Sequence, residues 1–177
     1  SDLQHHTNKG HWNLCHIPLL PVTGTPTPGD YCSPFSHERE SAAPGYYQVF
    51  LDRYGVDAQL SSTLRCAFHK YTYPAGAAAS LLADLQRSNE HVRAWDIRKE
   101  GDNVFAGWQQ TGEKMYFYAV ANRPVTGIEP VVEGDREVRI VRFGEGDGAL
   151  ELRIGFSFVS EKNARENLEA EMLGKSF

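Results

Sequence analysis

A chain of 177 residues, 41% hydrophobic and 23% charged, can bury one sizeable core and is balanced like an ordinary soluble globular protein. That balance excludes a disordered or collagen-like chain, and no apolar run is long enough to span a membrane as a helix. A formal net charge of −5 speaks against a general nucleic-acid binder, and Cys15, Cys32 and Cys66, with no CxxC pair, against a zinc ribbon or dense disulfide scaffold.

Nine Phe, eight Tyr and three Trp, with sixteen Gly and nine Pro, lean toward short strands joined by tight turns. The opening Ser1-Asp2-Leu3-Gln4 shows no signal peptide and reads as an entry in mid-chain. A first strand is expected over Asn13 to Leu20. Pro21 to Phe35 then holds four prolines and two glycines, which predicts an ordered loop. Strands are expected at Tyr46 to Leu51, Ala58 to Leu64, Cys66 to Tyr73, Val92 to Arg98, Val104 to Gln109, Met115 to Ala121, Glu137 to Phe143 and Ala149 to Phe158. Alternation supports them: Leu150, Leu152 and Ile154 interleave with Glu151 and Arg153. Ala77 to Leu85 fits a helix by propensity and a buried strand by rhythm. Turn residues punctuate the runs, and Gly144 to Gly148 reads as a hairpin turn rather than a calcium loop, because it lacks spaced acidic ligands. The fold class is therefore all-β, an antiparallel sandwich. One helix closes the chain: Ser160 caps it, Glu161 sits in its first turn, and Ala164, Leu168 and Met172 share a face.

Two segments carry candidate chemistry. In His5-His6-Thr7-Asn8-Lys9-Gly10-His11-Trp12-Asn13-Leu14-Cys15-His16, four of the seven histidines meet a lysine, a tryptophan and an asparagine. The segment reads as a polar loop, as a metal site using His5, His11, Cys15 or His16, or as a loop binding an anion and a sugar. In the last reading Lys9 supplies charge, Gly10 close approach, Asn13 hydrogen bonds and Trp12 a flat face for a pyranose. The second segment places His37, Glu38 and Glu40 together, either as a hydrogen-bonded acid–base group or as a turn whose charges pair with Arg39 and Arg53. No cysteine has a convincing nucleophile context. No GxSxG, HExxH, P-loop or dinucleotide fingerprint occurs.

Ser33-Pro34-Phe35-Ser36-His37-Glu38, then Pro44-Gly45-Tyr46-Tyr47, then Leu51-Asp52-Arg53-Tyr54-Gly55, then residues 156–168 (Phe-Ser-Phe-Val-Ser-Glu-Lys-Asn-Ala-Arg-Glu-Asn-Leu) occur in one order. Together they resemble the amino-terminal domain of the family 92 glycoside hydrolases, calcium-dependent exo-acting α-mannosidases. The resemblance runs along the whole chain. It implies a β-sandwich over 1–159, lacking the family's first strands, and a linker helix over 160–177 leading to an (α/α)6 barrel absent from this chain. It also implies that calcium and the catalytic carboxylates sit on that barrel, so no catalytic or metal residue is expected here, while sandwich loops complete the pocket. His37 and Glu38 are then expected to orient a loop beside that pocket. The expected location is secreted or cell-surface in a bacterium, with an α-mannoside and the barrel of the same protein as partners.

The family's usual Gly-Cys-Ser-Asp-Leu is here Gly10-His11-Trp12-Asn13-Leu14, which puts Asn13 where the family has Asp. This form resembles the subgroup that removes mannose from mannose-α-1-phospho-6-mannose. The physical chemistry agrees. A phosphodiester leaving group is anionic, so a carboxylate repels it, whereas Asn13 is neutral and Lys9 attracts it. Lys9, Trp12, Asn13, His11 and His5 are thus the expected substrate and phosphate contacts. The competing expectations are a non-catalytic carbohydrate-binding module stacking sugars on Trp12, Trp95 or Trp108, and a structural interaction domain.

Overall fold

Strict alternation of burial along Lys114–Ala121 puts Met115, Phe117, Ala119 and Ala121 on one face and leaves Tyr116 and Tyr118 on the other. The computed structural model describes residues 16–146 and 148–177 with side chains, and of residues 1–15 the backbone pairing of two short segments. In chain order the strands are β1 His5–His6, β2 Trp12–Asn13, β3 Leu19–Val22, β4 Glu40–Ala43, β5 Tyr46–Leu51, β6 Val56–Ser62 and β7 Cys66–Thr72. They continue with β8 Ser80–Ala83, β9 Ala94–Gly101, β10 Val104–Gln110, β11 Lys114–Ala121, β12 Val125–Glu133, β13 Arg136–Phe143 and β14 Leu150–Ser157. Helix α1 follows at Glu161–Glu171.

Two antiparallel sheets face each other, as expected for a sandwich. The larger has eight strands in the order β4-β5-β6-β7-β14-β11-β10-β9, the smaller four in the order β12-β13-β8-β3. Phe105, Phe117, Leu150, Leu152 and Ile154 from the large sheet meet Leu81, Leu82, Val138 and Ile140 from the small one, all buried in one continuous core. The outer face of the large sheet is covered by α1. Leu168 and Met172 pack there on Cys66 and Phe68 in a second, smaller cluster. Ser160 caps the helix by accepting the Asn163 N–H at 3.1 Å. Arg98 grips Glu161 through two bonds of 2.8 and 3.0 Å, and Glu171 accepts from the Thr63 hydroxyl and from Arg65 Nε at 2.6 Å.

Several expectations need correction. Pro21 and Val22 belong to β3, so the loop begins later than Pro21; as an edge strand β3 tolerates the proline. Of the two readings left open for Ala77 to Leu85 the buried strand holds, as β8, buried along its whole length. Strands β4 and β12 were not expected; both lie at sheet edges, β4 largely exposed and β12 carrying Pro130. The segment from Gly144 to Gly148 is not a hairpin turn. It crosses from β13 in the small sheet to β14 in the large one, and the Gly144 N–H donates to Pro124 O at 2.8 Å. No helix among the described residues is long and apolar enough to cross a membrane.

Candidate functional site

Of the expected contacts, Lys9 and His11 lie outside the described residues, as do the side chains of His5, Trp12 and Asn13. The backbone of this segment pairs antiparallel, His5 with Asn13 and His6 with Trp12. Where the chain enters the sandwich it is held firmly. Ile17 is wholly buried and has φ 53°, a left-handed conformation that a β-branched residue adopts at a cost of order 1–3 kcal/mol. Its N–H donates to Gln109 Oε1 at 2.9 Å, and Gln109 Nε2 donates to the carbonyls of Leu85 and Arg87, each at 2.9 Å. A buried amide using both its donor and its acceptor in this way fixes the three segments relative to one another.

The second segment forms a 3-10 turn at His37–Arg39, capped by Ser36 Oγ accepting from the Glu38 N–H. His37 Nδ1 lies 2.5 Å from Glu40 Oε2, and Tyr47 donates its hydroxyl to Glu40 Oε1 at 2.5 Å. Donation from Tyr47, then from His37, holds the Glu40 carboxyl below its usual range. Burial and the bond to Glu40 push the Tyr47 phenol up to about 12. The imidazole itself stands out in solvent, its edge against Phe35 at 5.4 Å. So the acid–base group of this segment is His37 with Glu40 rather than with Glu38. The alternative pairing is not found either: Arg39 bonds Asp52, and Arg53 holds Asp30 through two contacts of 2.7 and 3.1 Å.

A third cluster was not expected. The buried carboxylate of Asp84, just after β8, accepts the Tyr31 hydroxyl at 2.6 Å and lies 3.5 Å from an Arg136 nitrogen. Arg87 donates to the Tyr31 oxygen at 3.0 Å, and burial, with the Asp84 bond, raises the Tyr31 phenol above its ordinary value. Tyr54 donates to the Tyr31 carbonyl at 2.6 Å, tying this cluster to the β5–β6 hairpin. Asp84 and Arg87 line two adjoining depressions. One is an apolar recess of about 300 Å³ against Leu19, Leu20, Leu51 and Leu82. The other is an open cleft of about 740 Å³ walled by His91, Arg93, Trp95, Asp135 and Arg136. Asp84, Trp95 and Arg136 come from three separate parts of the chain; Trp95 was a stacking candidate by residue type, but no local motif could have announced the other two or their meeting.

Two other readings can be judged on geometry. Each ring has a cation over one face, Trp108 with Lys114 Nζ 3.5 Å and Trp95 with the Arg139 guanidinium 5.3 Å from its centroid; Trp95 lines the large cleft. Cys66 is buried under α1, where burial pushes its thiol up to about 11, far from a thiolate nucleophile. Among the described residues no group of three or more His, Cys, Asp or Glu is placed to hold a metal ion.

The fold is shared with solved glycosidases. The family GH92 alpha-mannosidase BT3965 of Bacteroides thetaiotaomicron superposes with a TM-score of 0.85 and 24% identity, covering 98% of this chain and 28% of its own. The GH92 inverting mannosidase BT2199 of Bacteroides thetaiotaomicron VPI-5482 gives 0.74 and 21%, covering 89% of this chain and 24% of its own. The gh92 family glycosyl hydrolase ccman5 gives 0.77 and 24%, covering 92% and 26%. This chain thus spans about a quarter of the length of these proteins. No curated protein matches it. The model of the glycosyl hydrolase family 92 N-terminal domain matches residues 3–165, nearly the whole sandwich and the start of α1, and the chain belongs to that family.

Proposed function

We propose that this chain is the amino-terminal sandwich of a longer, inverting exo-α-mannosidase, with the sandwich over 1–159 and residues 160–177 leading toward an (α/α)6 catalytic barrel. The observation that carries the reading is the family match over residues 3–165; solved mannosidases that contain the same sandwich as about a quarter of their length support it. An inverting hydrolase needs two carboxyl groups about 6.5–9.5 Å apart, with room for water between them. Both are assigned to the barrel. Calcium is assigned there too. The protein acts outside the cell, secreted or at the surface of a bacterium.

The sandwich contributes substrate contacts rather than the acid and base. We infer mannose-α-1-phospho-6-mannose as substrate, from Gly10-His11-Trp12-Asn13 standing where the family carries a carboxylate. Lys9 attracts the phosphodiester, Asn13 and Trp12 donate hydrogen bonds to it, and His5 and His11 are further contacts. A phosphate leaving group is a weak base that needs little protonation, so charge stabilisation outweighs proton donation. His37 and Glu38 orient the loop beside the pocket. Lys9→Ala in the full-length enzyme should cost about ten- to a hundredfold in kcat/KM on the phosphodiester, the worth of one charge-assisted hydrogen bond. Plain α-1,2-mannobiose should suffer much less, and Asn13→Asp should penalise the phosphodiester further by like-charge repulsion. The readout is the ratio of kcat/KM on the two substrates; equal losses on both would leave the family membership and remove the phosphate reading.

A further inference from the structure

Ile17 combines two backbone costs that a chain seldom carries together. It is the sole non-glycine with positive φ among the described residues, and it stands directly before Pro18, whose ring disfavours all but extended conformations in the preceding residue. Glycine would take φ 53° without strain, but the Ile17 side chain is wholly buried in the main core. The backbone is thus held in a turn at a point where the side chain is fixed as well.

Gln109 does the holding. It is 0% exposed, in β10, with Met115 and Trp95 as its cross-strand neighbours. Its acceptor takes the Ile17 N–H, and its donors go to the Leu85 and Arg87 carbonyls. Next along the chain, Pro18 O accepts the Asp84 N–H at 3.2 Å, and Leu19 to Val22 pair with Ala83 to Ser80. An apolar side chain could fill the same space in the core; what the amide adds is direction, because it binds one N–H at one angle. Only Leu14, Cys15 and His16 separate Ile17 from Asn13. Four backbone steps span at most about 14 Å, so the direction of the chain at Ile17 governs where Asn13 can reach. We propose that Gln109 is a positioning residue for His5–Asn13: by clamping Ile17 in its left-handed turn it sets how Lys9, Trp12 and Asn13 are presented. The proposal rests on the reading of that segment as a substrate contact, and Gln109 itself touches no substrate.

The test uses the full-length enzyme and sets hydrogen exchange, read by mass spectrometry, beside kinetics. In the wild type, peptides covering residues 5–17 should exchange more slowly than an unstructured chain. Gln109→Met removes the acceptor and should speed their exchange about tenfold or more, while β11 and β14 keep their rates. It should also lower kcat/KM on mannose-α-1-phospho-6-mannose about ten- to a hundredfold, the cost of a misplaced binding group. Gln109→Glu keeps an acceptor for the Ile17 N–H and should recover much of both, whereas Gly155→Ala, which strains the contact with α1, should change neither. Should Gln109→Met not fold, Gln109→Asn, one methylene too short to reach all three partners, decides in its place. Three results would each overturn the proposal: exchange of residues 5–17 at the unstructured rate in the wild type, equal acceleration of segment and strands in the variant, or an unchanged kcat/KM for the variant in an enzyme that Lys9→Ala impairs. If Lys9→Ala itself had no effect, the substrate reading of the segment would fall instead, and the exchange result would still decide the role of Gln109.

Discussion

His69 has the most unfavourable position for charge of any described histidine. It sits on β7 between Ala67 and Tyr71, which face the core, and is 2% exposed. Burial pushes its pKa well below the ordinary histidine value, and burial likewise raises the Tyr71 phenol, so both stay neutral. The Tyr71 hydroxyl lies 2.7 Å from His69 Nδ1 and donates to it when the ring is neutral. In the unfolded chain His69 takes up a proton below about pH 6.5, but in the folded chain it does not, so unfolding gains protons as pH falls. Its stabilising contribution is complete above about pH 6.5 and lost below it. The slope is about 1.4 kcal/mol per pH unit until the folded pKa is reached. Denaturant unfolding between pH 7 and 5 should show that slope in the wild type and lose it in His69→Gln, which keeps a polar partner for Tyr71 without titrating. The window is distinctive because Glu40 and Glu171, whose carboxyls are held below their usual value, lose their contributions only below about pH 4.5.

At the scale of elements, α1 stays on the sheet because β14 has no side chain where the helix crosses it. A Cβ on Gly155 would lie 2.1 Å from the Ala164 carbonyl oxygen and 2.9 Å from Leu168 Cβ. Both contacts are with the helix itself, so relief requires moving α1 outward and loosening Leu168 and Met172 from Cys66 and Phe68. Gly155→Ala should therefore cost about 1–3 kcal/mol despite its small size, seen as a lowered Tm, whereas alanine at the open Gly127 should cost much less. The helix itself was legible in the sequence, since its cap and apolar face obey local rules; that it packs on the outer face of the large sheet was not. The same division runs through the strands. Runs with one wet face, such as β11 and β14, declare themselves by alternation. Strand β8 is dry along its length and so has no alternation to read; β12 carries Gly127 and Pro130 and reads as a loop. The candidate site divides likewise: Lys9 to Asn13 and His37 to Glu40 were visible as local clusters, while Asp84, Trp95 and Arg136 meet only through β8, β9 and β13.

For the whole molecule, the question is whether the sandwich can cleave anything by itself. Its described acid–base group, His37 with Glu40, is exposed on an edge turn, and both Glu40 oxygens are already occupied, by the imidazole and by Tyr47. Asp84, the buried carboxylate, is engaged by Tyr31 and Arg136. An inverting glycosidase needs a protonated acid and a free base on opposite sides of one sugar, and each such group is worth about 10²–10⁴ in rate. In the proposed reading that pair belongs to the barrel, and of the three carboxylates that line the large cleft Asp84 is already occupied. The purified 177-residue chain should accordingly release no mannose from mannose-α-1-phospho-6-mannose or from α-1,2-mannobiose, with or without added calcium, while the full-length enzyme does. Calcium-dependent release by the chain alone, at a rate lowered by Glu40→Gln, would put the chemistry inside the sandwich. It would then move the acid–base assignment from the barrel to the turn at His37–Arg39.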